Sequence, residues 1–136
     1  MLLKPLLLDL VIKVFMSPFK GRSGVRRIIH AAGYSLAGLR VAFVGEAAFR
    51  QLLLLNIILI PTSFFLPVTR SEHALMVAVC LLSLIIELFN SAIEATIDRI
   101  SLERHPLSKN AKDMGSAAQM VGMIMIAAVW AIILLG

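Results

Sequence analysis

Residues 87–98 decide the fold of this chain; they read Glu87-Leu-Phe-Asn-Ser-Ala-Ile-Glu-Ala-Thr-Ile-Asp98. They continue an almost uninterrupted apolar run over residues 74–86. At 100° per residue, the polar members of the segment share one face of a helix, within a sector of about 100°; these are Glu87, Asn90, Ser91, Glu94 and Asp98. The pattern predicts a helix that is apolar all round at its start and acquires a polar stripe towards its end.

The polar stripe lies at a depth where charge is expensive. With a rise of about 1.5 Å per residue, Glu87 lies roughly 16 Å along the axis from Asp98. If the helix spans a bilayer, Asp98 is near the headgroups and Glu87 is well below them. A charged side chain near the middle of a bilayer costs at least ~2.5–3.5 kcal/mol. Hydrogen bonding between helices, worth ~0.6 kcal/mol per bond, is the alternative. Three acids on one stripe favour a functional site.

Composition identifies a membrane protein. The chain has 136 residues, of which 60% are hydrophobic and 15% charged, and its mean hydropathy is +0.93. A soluble domain carries about 25% charged residues. We therefore expect one polytopic membrane domain, too small to enclose a large site alone, and hence an oligomer. The net charge of +5 suits an anionic leaflet and phosphorylated ligands. Nucleic acid is not an expected partner, because the basic residues flank apolar spans.

Hydrophobic periodicity divides the chain into an N-terminal extension and a membrane domain. Residues 1–24 predict a retained interfacial segment and a basic linker, favoured over a cleaved signal peptide. Residues 25–136 predict an amphipathic surface helix, about 25–47, and transmembrane spans at about 48–68, 74–100 and 111–135. A turn at 69–73 and a polar loop at 101–110, with Ser108 as a possible N-cap, connect the spans. Span three also carries a ridge of small residues that lets another helix approach closely: Ala111, Gly115, Ala118 and Gly122.

The basic residues predict the orientation. Eight Lys or Arg precede the first span or lie at its start, and four surround the second loop, whereas the first turn has only Arg70. The positive-inside rule places the N-terminus and the second loop in the cytoplasm and the C-terminus outside. The Asp98 end of the stripe, the 101–110 loop and Glu46 are then expected to meet at the cytoplasmic face.

The chemistry of this predicted site suits a phosphorylated ligand. Carboxylates from different helices suit Mg²⁺, which is usually shared with substrate phosphates, and nearby cations suit a polyphosphate. Phosphoryl transfer needs alignment, charge neutralisation and one base. No Walker loop, zinc-ligand cluster or Ser-His-Asp arrangement is present in the sequence. The residues alone leave three alternatives: Mg²⁺-dependent chemistry on a lipid, an ion or proton pathway with Glu87 as carrier, and an interaction subunit without activity.

A family resemblance separates these alternatives. The segment 87–98, followed by Ala111-Lys-Asp-Met-Gly-Ser-Ala117, resembles the signature of the prokaryotic diacylglycerol kinases. Ala31-Ala-Gly-Tyr-Ser35, Gly38-Leu-Arg40 and Glu46-Ala-Ala-Phe-Arg50 resemble the N-terminal region of that family in the same order, so the match covers about residues 25–135. The resemblance implies a homotrimer of three-span subunits, each with a surface helix, in the bacterial inner membrane. It also implies transfer of the ATP γ-phosphate to the free hydroxyl of diacylglycerol.

The resemblance also implies roles for individual residues. Glu87 is expected to be the catalytic base, and Glu46 and Glu94 to bind Mg²⁺. The expected ATP-binding residues are Arg27, Tyr34, Glu46, Glu94, Glu103, Arg104, His105, Lys112 and Asp113. The expected lipid-binding residues are Arg27, Ala32, Ser35, Arg40, Ala48, Arg50, Glu87, Asn90 and Ser116.

Three positions depart from the family pattern. His30 replaces a common Lys, Leu36 stands where Trp is expected, and Leu52 stands where an acid often occurs. The related undecaprenol kinases share most of these motifs, so undecaprenol is the alternative acceptor.

Overall fold

The computed structural model describes residues 24–136 of the chain. The predicted interfacial segment therefore lies outside the described residues, apart from Gly24 at the end of its linker. The chain divides into two compact units, Met1–Leu39 and Arg40–Gly136. The second unit holds the polar stripe and most of the predicted site.

The described residues are all-α, as predicted. They form four helices: α1 at Val25–Gly45, α2 at Ala47–Ser63, α3 at Arg70–Ile100 and α4 at Pro106–Leu135. Helices α3 and α4 contain 31 and 30 residues, which corresponds to about 45 Å each. A bilayer core is about 30 Å thick, so each of these helices is long enough to extend beyond it. This extra length is sufficient for the polar end of α3 to extend outside the hydrocarbon.

Three described helices are long and apolar enough to cross a membrane, which agrees with the predicted number of spans, although one assignment differs. The three are α1, α3 and α4. The predicted first span forms α2, which is apolar but has only 17 residues. It is shorter than predicted because Phe64 caps it soon after Pro61. Helix α1, predicted at the surface from its basic residues, also meets the length and composition criteria.

Two helices begin earlier than their apolar patterns suggested, and side-chain capping explains both differences. Helix α3 begins at Arg70 because Thr69 and Glu72 form a reciprocal capping box. The predicted turn at 69–73 is thus mostly the first turn of this helix. Helix α4 begins at Pro106, whose missing N–H suits a first helical position. The cap of α4 is His105 rather than the predicted Ser108: its Nδ1 accepts a hydrogen bond from the Leu107 N–H at 3.2 Å.

Helix α3 is the centre of the second unit, because it packs against both α2 and α4. Its buried residues lie on one face of the helix: Met76, Val79, Cys80, Ser83 and Glu87. Towards the N-terminus of α3 the interior is apolar, with Ile126 and Trp130 from α4 completing the core. Towards its C-terminus the interior becomes polar.

Candidate active site

Three predicted acidic residues come together at the polar end of α3. Glu87 lies inside the bundle with only 3% of its surface exposed. Glu46, which caps α2, and Glu94, two turns further along α3, are partly buried. The carboxylates of both act electrostatically on that of Glu87. Because α1 and α2 are separated at Glu46, the carboxylate at the start of α2 lies near the polar stripe of α3.

Asn90 connects this acidic cluster to α4. Its Nδ2 donates a long hydrogen bond of 3.5 Å to Glu94 Oε1, while its Oδ1 is buried without a hydrogen-bond donor among residues 24–136. Helix α4 approaches here through Gly115: a Cβ at this position would lie 2.2 Å from Asn90 Oδ1. Glycine is required because any larger residue would displace the amide. Two glycines of the predicted small-residue ridge, Gly115 and Gly122, thus face α3 of the same chain.

Lys112 extends the cluster towards the second loop. Its Nζ donates to Asp98 Oδ1 at 2.6 Å, and it also interacts electrostatically with Glu94. One turn away, Lys109 forms an ion pair with Asp113. Cations and carboxylates therefore alternate from Glu94 to the start of α4. This arrangement balances charge around the acids while leaving basic groups at the edge of the bundle.

The second loop and the adjoining helix ends form an open cleft of about 660 Å³. The five predicted nucleotide residues from this part of the chain all line it: Glu103, Arg104, His105, Lys112 and Asp113. Because Lys112 belongs to both the cleft and the ion pair with Asp98, the cleft adjoins the acidic stripe. The ring of His105 already has a structural role here as the cap of α4.

The predicted lipid-contact residues of the second unit have mixed surroundings. Arg40, Ala48 and Ser116 are exposed. Arg50 donates from Nη1 to the carbonyl oxygens of Phe43 and Val44, at 2.9 and 3.0 Å, and so caps the end of α1. Glu46 and Arg50 are four residues apart, a spacing at which oppositely charged side chains can pair on a helix, but they form no ion pair among the described residues.

Two of the three departures from the family pattern have different surroundings. Leu52 is buried, so its apolar side chain matches a position at which a charge would be costly. Leu36 is exposed on α1.

Four predicted site residues lie in the first unit, on α1, and all four are exposed: Arg27, Ala32, Tyr34 and Ser35. His30, the other departure, is exposed there too. Ser35 Oγ donates to the Ala31 carbonyl oxygen at 3.0 Å, a bond within the helix. The part that these residues play in the site remains a prediction.

The donor chemistry of the acidic cluster fits Mg²⁺. Within residues 24–136, no three His, Cys, Asp or Glu side chains are arranged as a complete metal-binding set. Magnesium does not need such a set, because it commonly uses one or two carboxylates together with waters and substrate phosphates. Glu46 and Glu94 offer oxygen donors at the edge of the buried cluster, and the unpaired Asn90 Oδ1 offers another nearby. These are the hard ligands that the ion prefers.

Sequence reasoning did not assign two further polar residues that the structure places inside the bundle. Asn56 on α2 is 2% exposed, and Gln119 on α4 has its Oε1 shielded from solvent. Asn56 was visible as the one polar residue in the apolar run 52–61. Gln119 follows Gly115 and precedes Gly122 at helical spacing, so the small-residue ridge could have revealed it.

The long apolar helices and the charged cluster at one end define an integral membrane protein with an enzyme-like site. Residues 33–134 match the family model described as prokaryotic diacylglycerol kinase, and the chain belongs to that family. It is similar to the diacylglycerol kinase of Pseudomonas aeruginosa, with 70% identity over 120 residues, covering 88% of this chain and 98% of that one. The corresponding protein of Haemophilus influenzae is 46% identical over 108 residues, covering 79% and 92% of the two chains.

The diacylglycerol kinase of Escherichia coli gives a similar result, with 45% identity over 112 residues, covering 82% of this chain and 92% of that one. The family resemblance is therefore confirmed. The chain is a membrane kinase, a phosphotransferase with an alcohol acceptor, and its family implies ATP as the phosphoryl donor.

Proposed function

We propose that this protein phosphorylates the free hydroxyl of diacylglycerol with ATP, giving phosphatidate at the cytoplasmic face of the bacterial inner membrane. The main support is the buried Glu87 carboxylate, which has two further acids near it and a cation-lined cleft beyond them. The relatives described above match most of the chain, and each is named diacylglycerol kinase. In this proposal the N-terminus and second loop are cytoplasmic and the C-terminus is outside, as the basic residues indicate.

Glu87 acts as the general base in the proposed mechanism. Its depth suits a hydroxyl on a lipid, and a base must be within hydrogen-bond reach of the proton that it removes. Glu46 and Glu94 would hold Mg²⁺, which neutralises charge on the transferring phosphoryl group when bound. Lys112 is paired with Asp98 at the border between the acids and the cleft, so it is placed to orient a polyphosphate.

The nucleotide occupies the cleft at the second loop. Arg104, Lys109 and Lys112 supply positive charge along its lining, which suits the ATP phosphates. His105 orders the start of α4, and Glu103 and Asp113 complete the polar lining. Arg27 and Tyr34 join this site through the family resemblance. Since phosphoryl transfer depends mainly on positioning and charge neutralisation, a site with so few polar residues is sufficient.

The lipid enters from the bilayer in this proposal. Asn90 and Ser116 lie close to the reacting hydroxyl, and Arg27, Ala32, Ser35, Arg40, Ala48 and Arg50 contact the rest of the lipid. Helix α1 lies on the membrane surface, because its basic residues suit the headgroup region. We further propose a homotrimer in which neighbouring subunits share sites. The exposed apolar side chains of α4, such as Met114 and Val121, leave a surface for a neighbouring chain.

One assay in mixed micelles tests the reaction and its acceptor. Purified full-length protein receives Mg-ATP with diacylglycerol, with undecaprenol, or with neither lipid. We expect ATP consumption and lipid phosphorylation with diacylglycerol only. Preferential phosphorylation of undecaprenol would identify undecaprenol as the acceptor in place of diacylglycerol. If neither lipid is phosphorylated, the protein is better explained as an interaction subunit without activity. Ion flux through proteoliposomes without any nucleotide requirement would favour the ion pathway instead.

A further inference from the structure

Two amide side chains inside the bundle have no part in the proposed mechanism. The carbonyl oxygens of Asn56 on α2 and Gln119 on α4 are shielded from solvent and have no hydrogen-bond donor among the described residues. Leaving a buried acceptor unpaired is unfavourable, and a bilayer supplies no water to replace the missing donor. Each oxygen can therefore accept a hydrogen bond from a donor that the described residues do not supply in this structure.

The register of α4 against α3 places Gln119 at the level of Glu87. A Cβ on Gly115 would lie 3.9 Å from the Asn90 Cα, and a Cβ on Gly122 would lie 3.9 Å from the Ser83 Cα. Both contacts give the same antiparallel register, in which Gln119 is level with residues 86 and 87. Gln119 Oε1 is also 4.0 Å from the Gly122 Cβ position, which is the side of α4 that faces α3.

Glu87 needs an acceptor at the moment when it becomes protonated. It is buried and makes no hydrogen bond within residues 24–136. The acids near it, Glu46 from the start of α2 and Glu94 from α3, repel its carboxylate and do not fix its orientation through a hydrogen bond. A carboxyl O–H formed here would be a new donor beside an oxygen that lacks one.

We propose that Gln119 is a positioning residue for Glu87, its Oε1 accepting a hydrogen bond from the carboxyl group that Glu87 forms during turnover. This inference rests on the proposed role of Glu87 as the base. In that step the lipid oxygen bonds to the γ-phosphorus while the bond from phosphorus to the ADP oxygen breaks. The hydroxyl proton passes to the Glu87 carboxylate. Gln119 then holds the new O–H in place, so that the proton is retained away from the product.

Asn56 provides a matched control, because its carbonyl oxygen is also shielded from solvent and unpaired among the described residues but lies at another level along α3. Ser63 Oγ lies 3.3 Å from His73 Nε2, and this contact sets the register of α2 against α3. Counting back from it places Asn56 level with Cys80, about 10 Å along the axis from Glu87. Its amide is already fixed, since Nδ2 donates to the Leu52 carbonyl oxygen at 2.8 Å. Its carbonyl oxygen cannot serve Glu87 from there.

The test compares Gln119→Met with Asn56→Leu, each replacing one amide side chain by an apolar one. For Gln119→Met we expect kcat to fall about tenfold, the scale of losing one hydrogen bond to a group that carries charge during the reaction. KM for ATP and for diacylglycerol, thermal stability in micelles and oligomeric state should stay unchanged. Asn56→Leu should keep kcat within about twofold of the parent value, a change too small to count as a lost hydrogen bond.

A double-mutant cycle separates positioning from general packing. In a Glu87→Gln background no carboxyl proton forms, so Gln119→Met should cause no further loss of kcat. An unchanged kcat for Gln119→Met alone, an equal loss for Asn56→Leu, or a full tenfold loss in the Glu87→Gln background would each overturn the role of Gln119. A loss of stability that accompanies the loss of kcat would overturn it too. Failure of the base assignment itself is distinct, because Glu87→Gln would then retain the parent turnover.

Discussion

The same two helices, α3 and α4, pack in two different ways along their length. In the half nearest the first turn, large apolar side chains interlock: Met76, Val79 and Cys80 meet Ile126 and Trp130. The Trp130 indole N–H is buried there without a hydrogen-bond acceptor among the described residues. In the half nearest the second loop, Gly115 admits Asn90, and Lys112 pairs with Asp98.

The difference shows how one helix pair serves two purposes in a membrane. Apolar surface gains little by moving from lipid to protein, so the apolar half is held by shape and close contact. The polar half contains groups that are costly to bury, and its contacts are fewer but directional. We expect substitutions in the apolar half to change stability and substitutions in the polar half to change turnover.

Glu87→Gln, a substitution in the polar half, should have the largest effect on turnover. Gln has nearly the same shape but cannot accept the proton, so we expect kcat to fall at least about 100-fold, the lower end for general-base catalysis. ATP affinity and oligomeric state should change little, because a neutral amide is easier to bury than an acid. Measuring kcat, nucleotide affinity and oligomeric state together checks this.

Glu72→Gln is the matched control for that variant, since it makes the same chemical change on the same helix at the apolar end. Gln can replace Glu in the capping box that Glu72 forms with Thr69, so turnover should stay near the parent value. Were Glu87→Gln to lose no more than a few-fold in kcat, Glu87 would be a packing residue and the base would have to be sought at Asp98 or Glu94.

Glu46→Gln and Glu94→Gln should have the next largest effects, confined to metal use. Each carboxylate supplies part of the proposed Mg²⁺ shell, so removing one should raise the Mg²⁺ concentration required and lower turnover by about tenfold, as expected for an interaction worth about 1.4 kcal/mol. A Mg²⁺ titration of activity at saturating ATP measures this. An unchanged titration in both variants would remove these residues from the metal site.

Gly115→Ala tests the contact that distinguishes the polar half. The added Cβ would lie 2.2 Å from Asn90 Oδ1, so the amide or the helix must move, at a cost of about 1–3 kcal/mol. We expect lower thermal stability in micelles and a several-fold lower kcat. Gly122→Ala is the control: its Cβ would lie 3.1 Å from the end of the Ile86 side chain, which can rotate away. Equal effects of the two variants would contradict a special role for the Asn90 contact.

Sequence reasoning predicted the all-α fold and the grouping of the site because both depend on periodicity. The five polar residues of the stripe share a face in any helix, so the meeting of Glu87 and Glu94 required no knowledge of tertiary structure. Glu46 was harder to place, since its approach depends on the break before α2; the predicted orientation placed it only at the same membrane face, and the family resemblance supplied its expected role in binding Mg²⁺. The acidic cluster and the loop cleft contain residues that the sequence singled out, and the roles of those residues stay predictions.

The remainder depends on contacts between side chains and backbone that periodicity does not encode. Helix α3 begins at Arg70, earlier than predicted, because Thr69 and Glu72 cap it. His105 caps α4 through a ring nitrogen. The burial of Gln119 depends on the register between two helices, which only the paired glycine contacts reveal. Sequence patterns distinguish only weakly between α1 and α2 as the first transmembrane span, because the two helices differ in length by a few residues.

Met76→Leu should have the smallest effect and is the most direct test of the apolar half. Met76 is fully buried, in the centre of the core that α3 forms with α4. Leu has a similar volume, and swaps of this kind usually cost less than about 1.5 kcal/mol, so both stability and kcat should stay near the parent values. Met76→Ala leaves a cavity instead, and because lipid gives the side chain no hydrophobic penalty, we expect a loss near the lower end of the usual range, about 2 kcal/mol. Thermal unfolding in micelles together with kcat per folded protein measures both variants. If Met76→Ala lowers kcat per folded protein as well as stability, the two halves of the helix pair are coupled, and packing in the apolar half contributes to turnover.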